Sequence, residues 1–280
     1  MLEKSLISGF ADEIDSAFDV QLGVLESLGQ KYIELRAADG IGIADFTMDK
    51  AKEIKEKMDA CGIAVSAIGS PIGKIGINDE FEPHFEKYKH IVELAHYFET
   101  PNIRMFSFYL PDENLPEKYR DKVMERMEKL VDYAKQEAVT LLHENEKGIY
   151  GAMAKECRIL MGEFYGENFK CIFDFANYVQ CKQDTKEAYE PLKDYIAYIH
   201  VNDSVWETGE VVLPGTGDGN LRYIFNELDK KGFCGFLSLE PHLFHFQGFD
   251  ALERGETDDK KETDGVRAYK AAYASLKRIL

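Results

Sequence analysis

Four side chains able to bind a cation or move a proton stand at the ends of short apolar runs: Glu144 in LLHENE, Asp174 in CIFDFAN, His200 in YIHVND and Glu240 in LSLEPH. Side chains alternate along a strand. Glu144 therefore shares a face with Leu142 and Thr140, while His143 points the other way. The same phase joins Asp174 to Ile172, His200 to Tyr198 and Glu240 to Ser238. Three carboxylates and an imidazole brought to one point repel one another unless some are protonated. A single divalent cation removes that conflict. Carboxylate oxygens with one imidazole suit Mn²⁺, Mg²⁺, Co²⁺ or Zn²⁺, without choosing among them. Taken singly, each residue is a polar strand end in a hydrogen-bonded network; four in register point to a metal centre.

The neighbours of these residues suit a small polar substrate. Arg36, Lys74 and Arg104 lie at or just past strand ends, and Lys74 sits in the Pro/Gly turn SPIGKIGI. A cation there holds a phosphate, a carboxylate or a sugar hydroxyl; the plainer alternative is a partner for a nearby acid. Trp206 could stack on a sugar ring or simply pack. Glu146 lies past its strand end and is assigned a supporting or substrate-contacting role. His242 and His245 follow Glu240 closely, and His242 is the better candidate for touching substrate. The turn PGTGDG (214–219) precedes a helical pattern, where Gly-rich turns can cradle phosphate, but its spacing is not that of a dinucleotide or P-loop motif. His84, His90 and His96 share one helical stretch at six-residue spacing, cannot all face one way, and receive no role.

The elements that must position these groups alternate along the chain. Strands are expected near 4–10, 32–36, 64–70, 102–108, 139–145, 169–175, 196–203 and 235–241. Helices are expected near 15–29, 49–61, 80–98, 115–137, 152–165, 185–194, 219–231 and 264–280. The clearest helix, 115–137, carries Leu115, Tyr119, Val123, Met127, Leu130 and Ala134 on one stripe. Glycines at 29, 62 and 232 stand where helices stop. Eight strand–helix units call for a parallel sheet. Their number and length fit an α/β fold of the (β/α)8 TIM barrel type, an eight-stranded parallel barrel surrounded by helices. An open doubly wound sheet is the rival, but GFADEIDS after the first strand lacks the Gly-rich fingerprint such sheets carry. No linker or shift in composition divides the chain, so residues 1–280 are read as one domain. The charged stretch ERGETDDKKETD (253–264) reads as a solvated loop or short helix, with a lid as the sharper alternative.

Bulk properties narrow the partners. The chain has 280 residues, 45% hydrophobic and 30% charged, with a formal net charge of −17. Such a surface repels phosphate backbones and anionic membranes, which excludes an ordinary nucleic-acid binder. No apolar run approaches the roughly 20 residues of a membrane helix. The N-terminal stretch MLEKSLISGFADE places acids where a signal peptide has its apolar centre. The five cysteines form no CxxC pair, so the expectation is a cytoplasmic protein with reduced thiols.

With these residues in place the chain resembles the xylose isomerase-like TIM barrel superfamily, which includes sugar phosphate isomerases/epimerases, ketose 3-epimerases, hydroxypyruvate isomerases and the AP endonuclease 2-type domain of endonuclease IV. The resemblance spans nearly the whole chain and rests on ENE (144–146), FDFAN (173–177), HVND (200–203), PGTGDG and LSLEPH. It implies that Glu144, Asp174, His200 and Glu240 are the four ligands of one divalent ion. It also implies a proton-transfer reaction on a sugar or sugar phosphate: Glu144 and Glu240 flank the substrate and move protons next to its carbonyl through an enediolate, while Asp174 and His200 act as ligands only. Lys74, Arg104, Glu146, Asn177, His242 and Trp206 are placed among the substrate contacts. The endonuclease branch carries further histidines for a three-zinc cluster. Here Asn177 stands where that branch has a His, and Ser70 and Ser107 replace histidines at the ends of strands three and four, which argues against DNA repair. A metal-dependent lyase, dehydrating its substrate or eliminating from a 3-keto-glycoside, shares the first proton abstraction. A non-catalytic sugar-binding barrel is the reading from another class. Homo-oligomers are common among look-alikes and are an expectation of the resemblance alone.

Overall fold

The structure, a computed structural model, describes Leu2, residues 4–243 and residues 262–280. His245 and most of the charged stretch 253–264 lie outside the described residues. Eight strands and nine helices follow one another among those residues: β1 (Leu6–Gly9), α1 (Phe18–Ser27), β2 (Tyr32–Leu35), α2 (Met48–Cys61), β3 (Ala64–Ile72), α3 (Glu82–Tyr97), β4 (Asn102–Met105), α4 (Arg120–Gln136), β5 (Thr140–Glu144), α5 (Ala154–Phe164), β6 (Phe169–Asp174), α6 (Phe175–Gln180), α7 (Thr185–Leu192), β7 (Ile196–Val201), α8 (Leu221–Lys230), β8 (Phe236–Leu239) and α9 (Glu262–Ile279). The strands pair in parallel in the order β1-β8-β7-β6-β5-β4-β3-β2. With β1 lying against β2, they make a nearly closed barrel with the helices outside. Two short hairpins, Ala37–Ala38 with Ile41–Gly42 and Asp203–Ser204 with Val211–Val212, decorate the loops after β2 and β7.

Strand alternation sorts the core into two compartments. Leu141, Cys171, Ile199 and Leu237 join the large core between barrel and helices. Ala67, Leu142, Ile172 and Tyr198 form a separate cluster inside the barrel. The residues one step further along β5, β6 and β7 are Glu144, Asp174 and His200. The pairing Asp174↔His200, and Ser238↔His200 on the next strand, levels these ends. Apolar packing below thus fixes which face the ligand-type side chains occupy.

Helix ends follow local chemistry. Gly62 closes α2 in the left-handed region, φ +63°, and Asp184 caps α7 by accepting the amides of Lys186 and Glu187. The fourth helical pattern departs from its expected start. A 3-10 turn over Pro116–Tyr119 precedes α4. Its tighter pitch rotates Leu115 off the stripe, and that residue is 53% exposed. The expected core contacts Val123, Met127, Leu130 and Ala134 are buried. Helix α6 was not expected: six residues directly after β6 are too few for periodicity to register, and Asp174 caps it by accepting the Asn177 amide at 2.8 Å.

Candidate metal centre

Glu144, Asp174, His200 and Glu240 converge at the carboxyl end of the barrel. All four are buried, and one ligand atom from each lies within 4.8 Å of the others. His200 Nδ1 is 2.9 Å from Glu144 Oε1, 3.2 Å from Glu240 Oε2 and 3.8 Å from Asp174 Oδ2. An ion with bonds of about 2.1 Å holds its donors about 3.0–4.2 Å apart, depending on geometry. The donor set therefore fits a divalent cation in type, spacing and burial. Charge supports the same conclusion. Burial, then Glu144 and Glu240, push the Asp174 carboxyl up to about 8. Burial also works against the charged forms of Glu144 and His200. For Glu144 it is outweighed chiefly by His200, with help from Arg104, and its pKa is lowered. For His200 it is outweighed by Glu144, Glu34 and Glu240, and its pKa is raised well above the ordinary value.

Each ligand is held by its own bracing. Asn145, next to Glu144, clamps β6: its Oδ1 accepts the Asp174 amide at 3.0 Å and its Nδ2 donates to the Asp174 carbonyl at 3.1 Å. Asn202 Nδ2 donates to Asp174 Oδ2 at 2.6 Å, and Asn202 Oδ1 accepts the Ala176 amide at 2.9 Å. Asn177 donates its side-chain amide to the Asn145 carbonyl at 2.9 Å and its backbone amide to Asp174 Oδ1 at 2.8 Å, so it braces the segment that carries both residues. The middle residue of ENE, the last of FDFAN and the third of HVND thus surround one carboxylate and its strand.

The two glutamates divide their oxygens. Glu144 Oε1 and Glu240 Oε2 face His200 Nδ1. Glu144 Oε2 faces Arg104 Nη1 at 3.3 Å. Glu240 Oε1 lies 3.0 Å from Arg36 Nη1, 3.6 Å from Arg104 Nη1 and 3.3 Å from His242 Nε2. One guanidinium, Arg104, therefore spans both acids. Arg36 also pairs with Asp12 at 2.7 Å and Glu13 at 3.2 Å. Both guanidiniums lie against the Phe10 ring, 4.4 Å and 4.8 Å from its centroid. His242, at φ +46°, reaches Glu13 and Glu240 together. Burial works against its charge, but those two acids outweigh it and lift its pKa to about 9.

Other sequence candidates take different positions. Lys74 Nζ pairs with Glu146 Oε2 at 2.5 Å and sits 4.4 Å from the Phe106 centroid. The plainer alternative for Lys74, partner to a nearby acid, thus holds, and Glu146 supplies that acid. The Lys74 turn is fixed by His84, whose Nε2 accepts the Gly73 amide at 2.7 Å. Gly73 is required there, because at φ +90° a Cβ would run into the Phe106 carbonyl. Trp206 donates its backbone amide to Asp218 at 2.6 Å and lies under Lys182. The PGTGDG turn does not present free amides. Asp203, fully buried, accepts the N–H groups of Gly215, Gly217 and Gly219 at 2.8–2.9 Å, and that of Ser204. A Cβ at Gly217 would sit 2.6 Å from that carboxylate, so glycine serves close approach to Asp203 rather than to a phosphate.

Sequence reasoning missed Asp12, Glu13, Asn145, Asn202 and Glu34. Glu34 had a readable signal: it is in phase with Tyr32 on β2 and with Arg36 just past its end, so it points into the barrel.

The chain belongs to the xylose isomerase-like TIM barrel family, whose model matches residues 22–272. Three solved structures are similar to it over nearly their whole length. The probable 3-DHS dehydratase AsbF of Bacillus anthracis, involved in petrobactin synthesis, is 17% identical, with 97% of this chain and 98% of that one covered and a TM-score of 0.74. An L-ribulose 3-epimerase is 17% identical, with 99% and 94% covered and a TM-score of 0.73. The IOLI protein with a bound zinc atom is 15% identical, with 98% and 97% covered and a TM-score of 0.74. At these identities the likeness speaks for the fold. Comparison with curated protein sequences finds no match. Among the described residues no helix is long and apolar enough to cross a membrane.

Proposed function

We propose that the protein is a divalent-metal-dependent isomerase or epimerase of a sugar or sugar phosphate, working by proton transfer next to a carbonyl. The observation that carries this reading is the division of oxygens in Glu144 and Glu240, one turned to the ligand centre and one to the cationic mouth. Glu144, Asp174, His200 and Glu240 would hold a divalent ion, whose chemistry there would be Lewis acidity toward a substrate carbonyl. Glu144 Oε2 and Glu240 Oε1 remain to take a proton from one carbon and return it to the same or the adjacent one, and general acid–base transfer of this kind contributes about 10²–10⁴-fold. Arg104, between the two acids, steadies whichever is ionised and offers its guanidinium to oxygens of the substrate. Lys74 with Glu146, and His242 with Glu13, offer further polar contacts at the rim. An anionic group on the substrate has these cations to meet, since the PGTGDG amides are taken by Asp203. Neighbours described as epimerases and a dehydratase support the reaction class.

The test is proton NMR in D₂O with Mg²⁺ present and a panel of ketoses and ketose phosphates. Deuterium entering at carbon with all heavy atoms retained is the expected result. Loss of water or of a β-substituent assigns a lyase instead. Metal binding with no exchange on any substrate overturns catalysis and leaves a binding protein.

A further inference from the structure

The barrel interior holds a fifth carboxylate that the proton-transfer reading does not use. Glu34, on β2, is fully buried. It stands on the opposite side of the His200 ring from the three acids. Its oxygens lie 3.2 Å and 3.3 Å from His200 Nε2. Ser238, in register with His200 on the adjoining strand, donates its hydroxyl to Glu34 Oε2 at 2.6 Å. Among the described residues no lysine or arginine forms an ion pair with Glu34. A carboxylate so enclosed is costly unless its partners are fixed in place.

The strand is shaped to deliver it. The β2–β3 register slips between Ile33 and Glu34, leaving Ser66 as the extra residue of β3. Ser66 donates to the Ile33 carbonyl at 3.1 Å and bonds Tyr198 Oη at 2.8 Å. Bulges re-aim side chains near functional sites. The imidazole itself is confined by ring-edge packing, 5.2 Å from Phe10 and 5.9 Å from Tyr198 between centroids.

We propose that Glu34 is a positioning residue for His200: its carboxylate receives the Nε2–H and so commits Nδ1 to the metal centre. A neutral imidazole carries one proton, and the partner of one nitrogen decides which nitrogen keeps a lone pair. Three acids face Nδ1 and Glu34 alone faces Nε2. Glu34 would hold the proton on Nε2, leaving the Nδ1 lone pair for a divalent ion held by the three acids. The negative charge behind the ring also strengthens Nδ1 as a donor. This inference rests on the four-residue centre binding a divalent ion.

Two measurements test it without any substrate. In the zinc-loaded protein with ¹⁵N-labelled histidine, His200 is expected to show a metal-bound Nδ1 and a protonated, slowly exchanging Nε2. Ligation through Nε2 overturns the proposal. Calorimetric titration with Mn²⁺ should then show Glu34→Leu binding about 10–100-fold more weakly than wild type. Glu34→Gln, whose amide oxygen can still accept the Nε2–H, should fall between. A purely structural role would lower melting temperature and leave Mn²⁺ affinity unchanged, which also overturns the proposal. If Glu34→Leu does not fold, the wild-type spectrum and Glu34→Gln decide. Wild-type protein that binds no Mn²⁺ removes the metal centre itself, a failure distinct from equal binding by wild type and variants.

Discussion

Glu240→Gln separates the role of Glu240 in chemistry from its role in holding the barrel mouth. The substitution removes one charge and little volume. Three cationic groups lose a partner: Arg36 at 3.0 Å, Arg104 at 3.6 Å and His242 at 3.3 Å. All three keep others, since Arg36 retains Asp12 and Glu13, Arg104 retains Glu144 and His242 retains Glu13. The stability cost therefore falls below the roughly 3–5 kcal/mol seen when a buried charge loses its sole partner. About 1–3 kcal/mol is expected, and at roughly 2–4 °C per kcal/mol for chains of this size the melting temperature drops by about 2–12 °C. The chemical cost is larger. Losing a general base costs about 10²–10⁴ in rate, equivalent to about 3–5 kcal/mol of barrier. Replacing the Glu240 carboxylate, whose Oε2 lies 3.2 Å from His200 Nδ1, by an amide also weakens the proposed metal site. The assay is solvent deuterium exchange under saturating Mg²⁺, read beside thermal unfolding of the same preparation. A folded variant whose exchange stays within about tenfold of wild type refutes the two-carboxylate reasoning, because a base that matters contributes at least about 10².

Two further expectations concern the scaffold. Asp203→Asn replaces the oxygen that accepts the Gly215 and Gly217 amides with a donor. Two bonds to a charged acceptor, about 1.5–3 kcal/mol each and partly replaced by water, give a loss of about 2–4 kcal/mol in urea unfolding. Mn²⁺ affinity should stay unchanged because Glu144, Asp174 and His200 stand at the ends of barrel strands and Glu240 directly follows β8, none of them in the turn; an unaltered unfolding midpoint contradicts this account of the turn. His84 is held neutral, its pKa lowered from 6.5 to about 4 by burial, then by Lys87 and Arg126, and its Nε2 is already used as an acceptor. The unfolded chain takes up that proton first. Stability is therefore intact above pH 6.5 and is lost as pH falls toward about 4, by up to about 3 kcal/mol. The stability difference between wild type and His84→Gln, followed by urea midpoints across that window, should shift by that amount; a pH-independent difference disproves the assignment.

What could be read from the chain before its structure divides along a physical line. The four residues that converge at the barrel mouth are legible because each obeys a local rule. Alternation with Leu142, Ile172 and Tyr198 fixes the face, and the end of the apolar run fixes the height. The fold was legible for the same reason, repeated eight times. Locality failed at α6, too short to show a period, and at Leu115, where a 3-10 turn replaced the expected pitch. The supporting contacts were hidden for a deeper reason. Glu34 meets His200 across 166 positions of sequence, and Arg36 meets Glu240 across 204. Asp203 and the PGTGDG glycines were each visible, but that the first consumes the amides of the second is set by how the hairpin after β7 folds back. Residue type and spacing announce what a side chain can do. Which acid sits behind which imidazole is decided only when the barrel closes, and in this chain those closing contacts set the charge and the reach of the groups that the local pattern supplies.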